Sequence, residues 1–368
     1  LEKLLSIIGM TGKAHEIVYV DCFAGPWGNG SESLSGTSIA ISLEILRKVK
    51  ETLEKVHQMA DVKFRAIYIE EMRSSHKKLS IFLEKHCPEG IECHALHGDY
   101  LELQDEILQL CGDRSFVFFF IDPKGWKDVG IQKLTKLLRR PRSEFLITFM
   151  YDFFNRAIRM VDLRQQVHEV LGELTHEDYL QISSLTGKER EEIVVRKYRQ
   201  QLKDAMGPDG TLPSRSYHAV ILNKEKDRTH YHMVYLTRHH KGIVKFAESS
   251  EKVDRLQRVV RIQMKRDTTS QTGLFSAEEE AQQQNGARAG LEDVKGHWLE
   301  HLTVSPIIYD EARLADMLED TGWLIRDFQE AFGVLLAEGI VENLDDPGGR
   351  RRRRFVHFES GDRLRRRK

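Results

Sequence analysis

At 368 residues, 40% of them apolar and 31% charged, the chain has enough apolar surface for a sizeable core and room for two domains. No stretch approaches the apolar run needed to cross a membrane. The four cysteines show no paired metal spacing, so no structural metal is expected, and they read as reduced thiols of a cytoplasmic protein. A net charge of −1 conceals an asymmetry: residues 350–368 hold ten Arg or Lys against two acids, leaving −9 on the remainder. Such a run is either a solvated tail or the electrostatic footprint of nucleic-acid binding.

Taken in chain order, Glu16 to Asp21 reads as a strand and is followed by a turn containing Gly25, Gly28 and Gly30. A helix is expected from about Thr37 to Lys55, with Ile39, Leu43, Leu46 and Val49 on one face. Lys63 to Glu70 is the second strand, Met72 to Lys85 a helix, and Ile91 to Leu96 a third strand ending in His97, Gly98 and Asp99. Leu101 to Cys111 reads as helix. Phe116 to Ile121 is a continuous apolar run, the pattern of a strand buried on both faces of a parallel sheet. A helix over Ile131 to Arg139 and a fifth strand over Glu144 to Met150 follow. Residues 157–208 interrupt the rhythm with charged helices, either a lid over a substrate or a surface elaboration. Ser216 to Leu222 and His230 to Thr237 then form a hairpin, and Glu251 to Met264 a last amphipathic helix. The alternation predicts an α/β domain with a doubly wound parallel sheet. The closing hairpin favours a Rossmann-like class I methyltransferase sheet over a dehydrogenase.

Acids and glycines stand where such a sheet does its chemistry, just beyond the carboxyl ends of the strands. Asp21, Phe23, Gly25, Trp27 and Gly28 form a turn of the acid-x-Phe-x-Gly type, in which glycine lets the backbone approach the methionine end of S-adenosylmethionine. Glu70 closes the second strand, where a carboxylate can bind both ribose hydroxyls, and Asp99 closes the third, near an adenine amino group. A nicotinamide fold would carry a compact Gly-x-Gly-x-x-Gly with an acid about 20 residues on; here Glu70 lies 49 residues past Asp21. Each acid alone could merely mark the end of a strand, but four in succession argue for a site.

The fourth strand ends in Asp122-Pro123-Lys124-Gly125-Trp126. A carboxylate and a carbonyl at an Asp-Pro turn can accept hydrogen bonds from a planar exocyclic amine, so Asp122 and Pro123 are expected to orient it. Lys124 could meet phosphate, and Trp126 could stack a base or pack a helix. Arg156, after the fifth strand, is a further phosphate contact, next to Phe153 and Phe154, which read more readily as core. Arg238, His239, His240 and Lys241 follow the last strand without a third ligand at metal-binding spacing.

Together Tyr19 to Pro26, Gly36-Thr37-Ser38, Phe120 to Trp126, Phe149 to Arg156 and Thr237 to Gly242 resemble the three-Cys-motif partner proteins (TcmP), over most of residues 1–250. The resemblance implies a methyltransferase-like fold, a C-terminal winged helix as some members carry, and a partner protein bearing three cysteines. Where the commonest form of that family's first turn has a second glycine after the proline, this chain has Trp27 and then Gly28; the indole would either cover the cofactor or fill its pocket.

Residues 265–290 have the composition of a linker. Beyond it, helices over Leu291 to Leu302, Tyr309 to Leu318 and Thr321 to Glu338 lead into a hairpin of Gly339 to Leu344 and Arg353 to Phe358, a winged helix-turn-helix pattern. Its wing would present Arg350, Arg351, Arg352, Arg353 and Arg354 to phosphates, and its third helix offers Arg326 and Gln329 for bases. The expected organisation is a Rossmann-like domain over 1–264 with a helical insertion at 157–208, a linker at 265–290, and a winged helix with a basic tail at 291–368. The expected function is S-adenosylmethionine-dependent methyl transfer to DNA or RNA at an exocyclic base amine. The alternative is a catalytically weak fold used for nucleic-acid binding or partner docking.

Overall fold

The computed structural model describes residues 1–11, 15–25, 36–57, 61–223, 226, 228–269, 289–346 and 354–367. After helix α1 (Glu2–Met10) come β1 (Glu16–Asp21), α2 (Ser38–His57), β2 (Lys63–Glu70), α3 (Arg73–His86), β3 (Ile91–His97), α4 (Gln104–Cys111), β4 (Phe116–Ile121), α5 (Ile131–Leu138) and β5 (Ser143–Phe149). Four helices follow, α6 (Tyr151–Ala157), α7 (Arg164–Leu171), α8 (His176–Ser184) and α9 (Gly187–Met206), and then β6 (Arg215–Leu222) and β7 (Thr229–Thr237). The seven strands form one mixed sheet in the order β3-β2-β1-β4-β5-β7-β6. Strands β1 to β5 are parallel neighbours, and β7 runs antiparallel to β5. This is the Rossmann-like methyltransferase arrangement expected from the closing hairpin.

Two compact units divide the chain: 1–216 with 230–238, and 217–229 with 239–368. The composition-based boundary at 264 is a different division, resting on a linker-like segment most of which lies outside the described residues.

In the first unit the pleat separates two environments. Val18, Val20, Ile67, Ile69, Val117, Phe119, Ile121, Phe145, Ile147 and Phe149 point to one face and join a single core with α5, α7 and α9. Tyr198 of α9 stacks on Phe149 (centroids 4.5 Å apart), and its hydroxyl donates to the Val129 carbonyl (2.9 Å). The helical segment is therefore part of the core on this face and not a surface elaboration. Its buried Arg190 donates to the carbonyls of Ile182 (3.0 Å) and Ser183 (2.8 Å) and to Asn155 Oδ1 (2.9 Å), tying α9 to α8 and α6.

The expectation of four reduced cysteines is corrected: Cys87 and Cys93 are joined by a disulfide, while Cys22 and Cys111 are free and buried. The reason is local, since α3 ends one residue before Cys87 and β3 begins at Ile91, a return that brings the two Cα atoms to 6.2 Å.

In the second unit, α10 (His240–Thr269) precedes α11 (Leu291–His301), β8 (Ile307–Tyr309), α12 (Glu311–Thr321), α13 (Ile325–Ala337), β9 (Val341–Asn343) and β10 (Asp362–Arg366). The three strands pair antiparallel in the order β8-β10-β9. Two expectations fail here. Tyr309, read as the first residue of a helix, ends the strand Ile307–Tyr309, and the helix begins at Glu311. The second hairpin strand is Asp362–Arg366 and not Arg353 to Phe358, whose described residues 354–358 belong to no strand. That segment is held instead by side chains. Gln329 accepts from the backbone N–H of Phe355 (2.8 Å) and Val356 (3.1 Å), and Asn343 donates to the Phe355 carbonyl (3.0 Å). Among the described residues no helix is long and apolar enough to cross a membrane.

Candidate functional site

The carboxyl ends of β1 to β4 open onto one cleft, lined by Phe23, Gly25, Glu70, Asp99, Asp122 and Lys124 among others. Four sequence-derived positions at successive strand ends thus come together in space. Glu70 is buried, and its Oε1 accepts the Met72 N–H (2.7 Å). A Cβ on Gly25 would fall 1.6 Å from Glu70 Oε2, so only glycine leaves that carboxylate where it stands. Asp99 accepts the Leu101 N–H (2.9 Å), an Asx turn that aims the carboxyl at the cleft wall. Phe23 packs tilted against Tyr100 (4.8 Å), whose hydroxyl donates to the Asp128 carbonyl. Trp27 and Gly28 lie outside the described residues.

Asp21 does not line the cleft. It is fully buried and accepts the Phe23 N–H (3.1 Å) and the Ser38 hydroxyl (3.2 Å) at the start of α2, so it shapes the turn from behind. Burial pushes its pKa up to about 7, the two hydrogen bonds oppose the rise, and the charge of Asp122 adds to it. Asp122 is exposed at the cleft mouth but crowded by the strand ends. Desolvation raises its pKa, opposed by a hydrogen bond from the Thr148 hydroxyl. Pro123 is buried and Lys124 exposed.

Trp126 is not available to stack a base: it is 6% exposed and packs edge-on to the buried Phe154 (5.2 Å). Phe154 is core, as read, but Phe153 is 42% exposed, with the Arg156 guanidinium 4.8 Å over its ring. Tyr100, Met72 and Asp128 line the cleft without having been singled out; Met72, directly after Glu71 and half exposed, is the one whose position beyond a strand-ending acid could have signalled it.

The proposed base-reading pair on α13 is committed elsewhere. Gln329 donates to the Val356 carbonyl (2.7 Å) besides accepting from that loop, and Arg326 pairs with Asp254 (2.9 Å). Arg354 pairs with Glu359 (2.6 Å), Arg363 with Asp345 (2.6 Å) and Arg365 with Glu342 (2.7 Å). Arg350 to Arg353 lie outside the described residues. No group of three or more metal-binding side chains occurs among the described residues.

No protein-family model and no curated protein matches this chain. Among solved structures it is similar to the O-methyltransferase TomG of Streptomyces achromogenes, involved in tomaymycin synthesis and solved with SAM. That likeness has TM-score 0.32 and 14% identity over 64% of this chain and 78% of that one. PKMT2 of Rickettsia typhi gives TM-score 0.26 and 10% identity over 61% of this chain and 48% of that one. The YcgJ protein of Bacillus subtilis gives 0.24 and 10% over 64% and 96%. Likenesses this distant carry no argument; the fold rests on strand order and the site on its own geometry.

Proposed function

We propose that the chain is an S-adenosylmethionine-dependent methyltransferase acting on nucleic acid at an exocyclic base amine. The observation that carries the reading is the convergence of Gly25, Glu70, Asp99 and Asp122 on one cleft at the carboxyl ends of four consecutive strands. The residues fit the cofactor: Gly25 leaves room that a Cβ would fill, Glu70 offers a carboxylate to ribose hydroxyls, and Asp99 one to an adenine amine. The cofactor, when bound, supplies an electrophilic methyl group. Asp122 accepts a hydrogen of the amine, which localises the nitrogen lone pair, and its raised pKa suits it to receive the proton that nitrogen loses. In the second unit, three helices, a short strand after the first of them and a closing pair of strands support a winged helix.

A second reading is a catalytically weak methyltransferase fold serving as a nucleic-acid-binding or partner-docking component, the partner being a three-Cys-motif protein. Its partner-docking form is favoured by the internal commitments of Arg326, Gln329 and Arg354, which take up residues expected to contact nucleic acid.

Calorimetric titration with S-adenosylmethionine and S-adenosylhomocysteine tests the first reading. Glu70→Ala is expected to weaken binding by roughly 1.5–3 kcal/mol, the scale of a charge-assisted hydrogen bond. A wild-type chain that binds neither compound, with or without nucleic acid, overturns the enzyme.

A further inference from the structure

The second face of the sheet carries a polar group that the cleft alone does not explain. Register places Ile121 opposite Ile147, so Asp122 continues opposite Thr148. Thr148 in turn lies opposite Met233 of β7. Residues opposite one another share a face, as do residues two apart on a strand, so Asp122, Thr148, Met233 and Tyr231 all project from one side at the carboxyl edge. The neighbour of Tyr231 confirms the parity: His232 is buried toward the other side, edge-on to the Tyr151 ring (5.7 Å) and 3.0 Å from Glu191.

Tyr231 differs from five other tyrosines of the unit. The hydroxyls of Tyr68, Tyr100, Tyr179, Tyr198 and Tyr235 each have a protein hydrogen-bond partner. That of Tyr231 has none among the described residues, although the side chain is half-buried; burial raises its pKa, and the charge of Asp122 adds to the rise. Phe120, Leu146 and Met233 on the same face are also only half-buried, and they give an apolar surface on which a flat ring can lie.

We infer that Asp122 and Tyr231 form the subsite for an amidine edge, an exocyclic amine beside a ring nitrogen that accepts a hydrogen bond. Asp122 accepts from the amine and the Tyr231 hydroxyl donates to the ring nitrogen. The inference rests on the proposed function for the choice of an amine-bearing base. It goes further in requiring the acceptor nitrogen next to the amine, as adenine and cytosine provide, and in assigning its recognition to Tyr231.

Binding and turnover test it separately. Fluorescein-labelled single-stranded DNA 20-mers with one adenine, purine or 1-deazaadenine in a thymine background are titrated by anisotropy in the presence of S-adenosylhomocysteine. A parallel set carries cytosine or 3-deazacytosine. Methyl transfer to each is measured with tritiated S-adenosylmethionine. In at least one set the wild type is expected to lose fivefold or more in affinity when the ring nitrogen is replaced by carbon. Tyr231→Phe is expected to bind the parent and deaza oligonucleotides equally, with an unchanged melting temperature and unchanged S-adenosylhomocysteine affinity. Wild type that discriminates in this way but transfers no methyl group sinks the methyltransferase reading and leaves the subsite standing. Wild type that handles parent and deaza bases alike in both sets, or Tyr231→Phe that still discriminates, overturns the subsite whatever the turnover.

Discussion

At the residue scale, two buried carboxyls set how the first unit responds to pH. Burial raises Asp21 to about 7, and it raises Glu144 to about 7 against the hydrogen bonds donated by Tyr235 and Thr237. A carboxyl whose folded pKa is raised binds its proton more tightly in the folded state. Its contribution is therefore fully present below the unfolded value of about 4 and is lost as pH rises through about 7. Stability measured by denaturant titration is expected to fall between pH 4 and 7. Asp21→Asn should remove part of that slope and Glu144→Gln most of the rest; an unchanged slope in both variants would show that the two carboxyls ionise freely. Asp122 makes the complementary prediction about chemistry. Asp122→Ala should keep cofactor affinity and lose methyl transfer by about a hundredfold, or ~3 kcal/mol of transition-state stabilisation. Loss of the fold instead would make Asp122 a strand-ending structural residue.

At the element scale, α13 shows how a side chain read as recognition becomes architecture. Gln329 makes three hydrogen bonds to the backbone of residues 355 and 356, replacing the strand pairing that this segment lacks. Gln329→Ala leaves those backbone groups without their partner. It is expected to destabilise the second unit by roughly 1–3 kcal/mol, read as a lowered denaturation midpoint. A base-reading glutamine would instead leave stability untouched and change sequence preference. The strands of the α/β sheet were far more legible than this segment. Phe116 to Ile121 had to be buried on both faces because no other environment accepts six consecutive apolar residues in extended chain. Residues 353–358 offered only aromatic and β-branched composition, and β10, with four charges in five residues, offered less.

At the scale of the whole molecule, the basic tail is smaller in effect than its count. Arg354, Arg363 and Arg365 each face an acid, and β10 is the strand between β8 and β9. Deleting residues 350–368 would therefore remove a structural strand along with the charge. Substituting Arg350 to Arg353 by glutamine removes four charges and leaves the sequence of β10 intact. It is expected to flatten the dependence of log K on log salt for nucleic acid by up to about 3.6, at about 0.9 per phosphate. An unchanged slope would assign these arginines to protein docking or to solvent.

Sequence by itself determined the alternation of strands and helices, the closing hairpin, and the acids at the ends of β1 to β4. These are local properties, written in periodicity and in where an apolar run stops. Tertiary structure decided which of those residues face the cleft. Asp21 turns inward because the Phe23 amide and the Ser38 hydroxyl claim both its oxygens, and Trp126 is taken up by the core against Phe154. Tyr231 joins Asp122 only because β7 runs antiparallel beside β5, which carries a residue from beyond the helical insertion back to the strand ends. Spacing along the chain cannot encode that meeting, since the register of distant strands is set by how their faces pack and not by the residues between them.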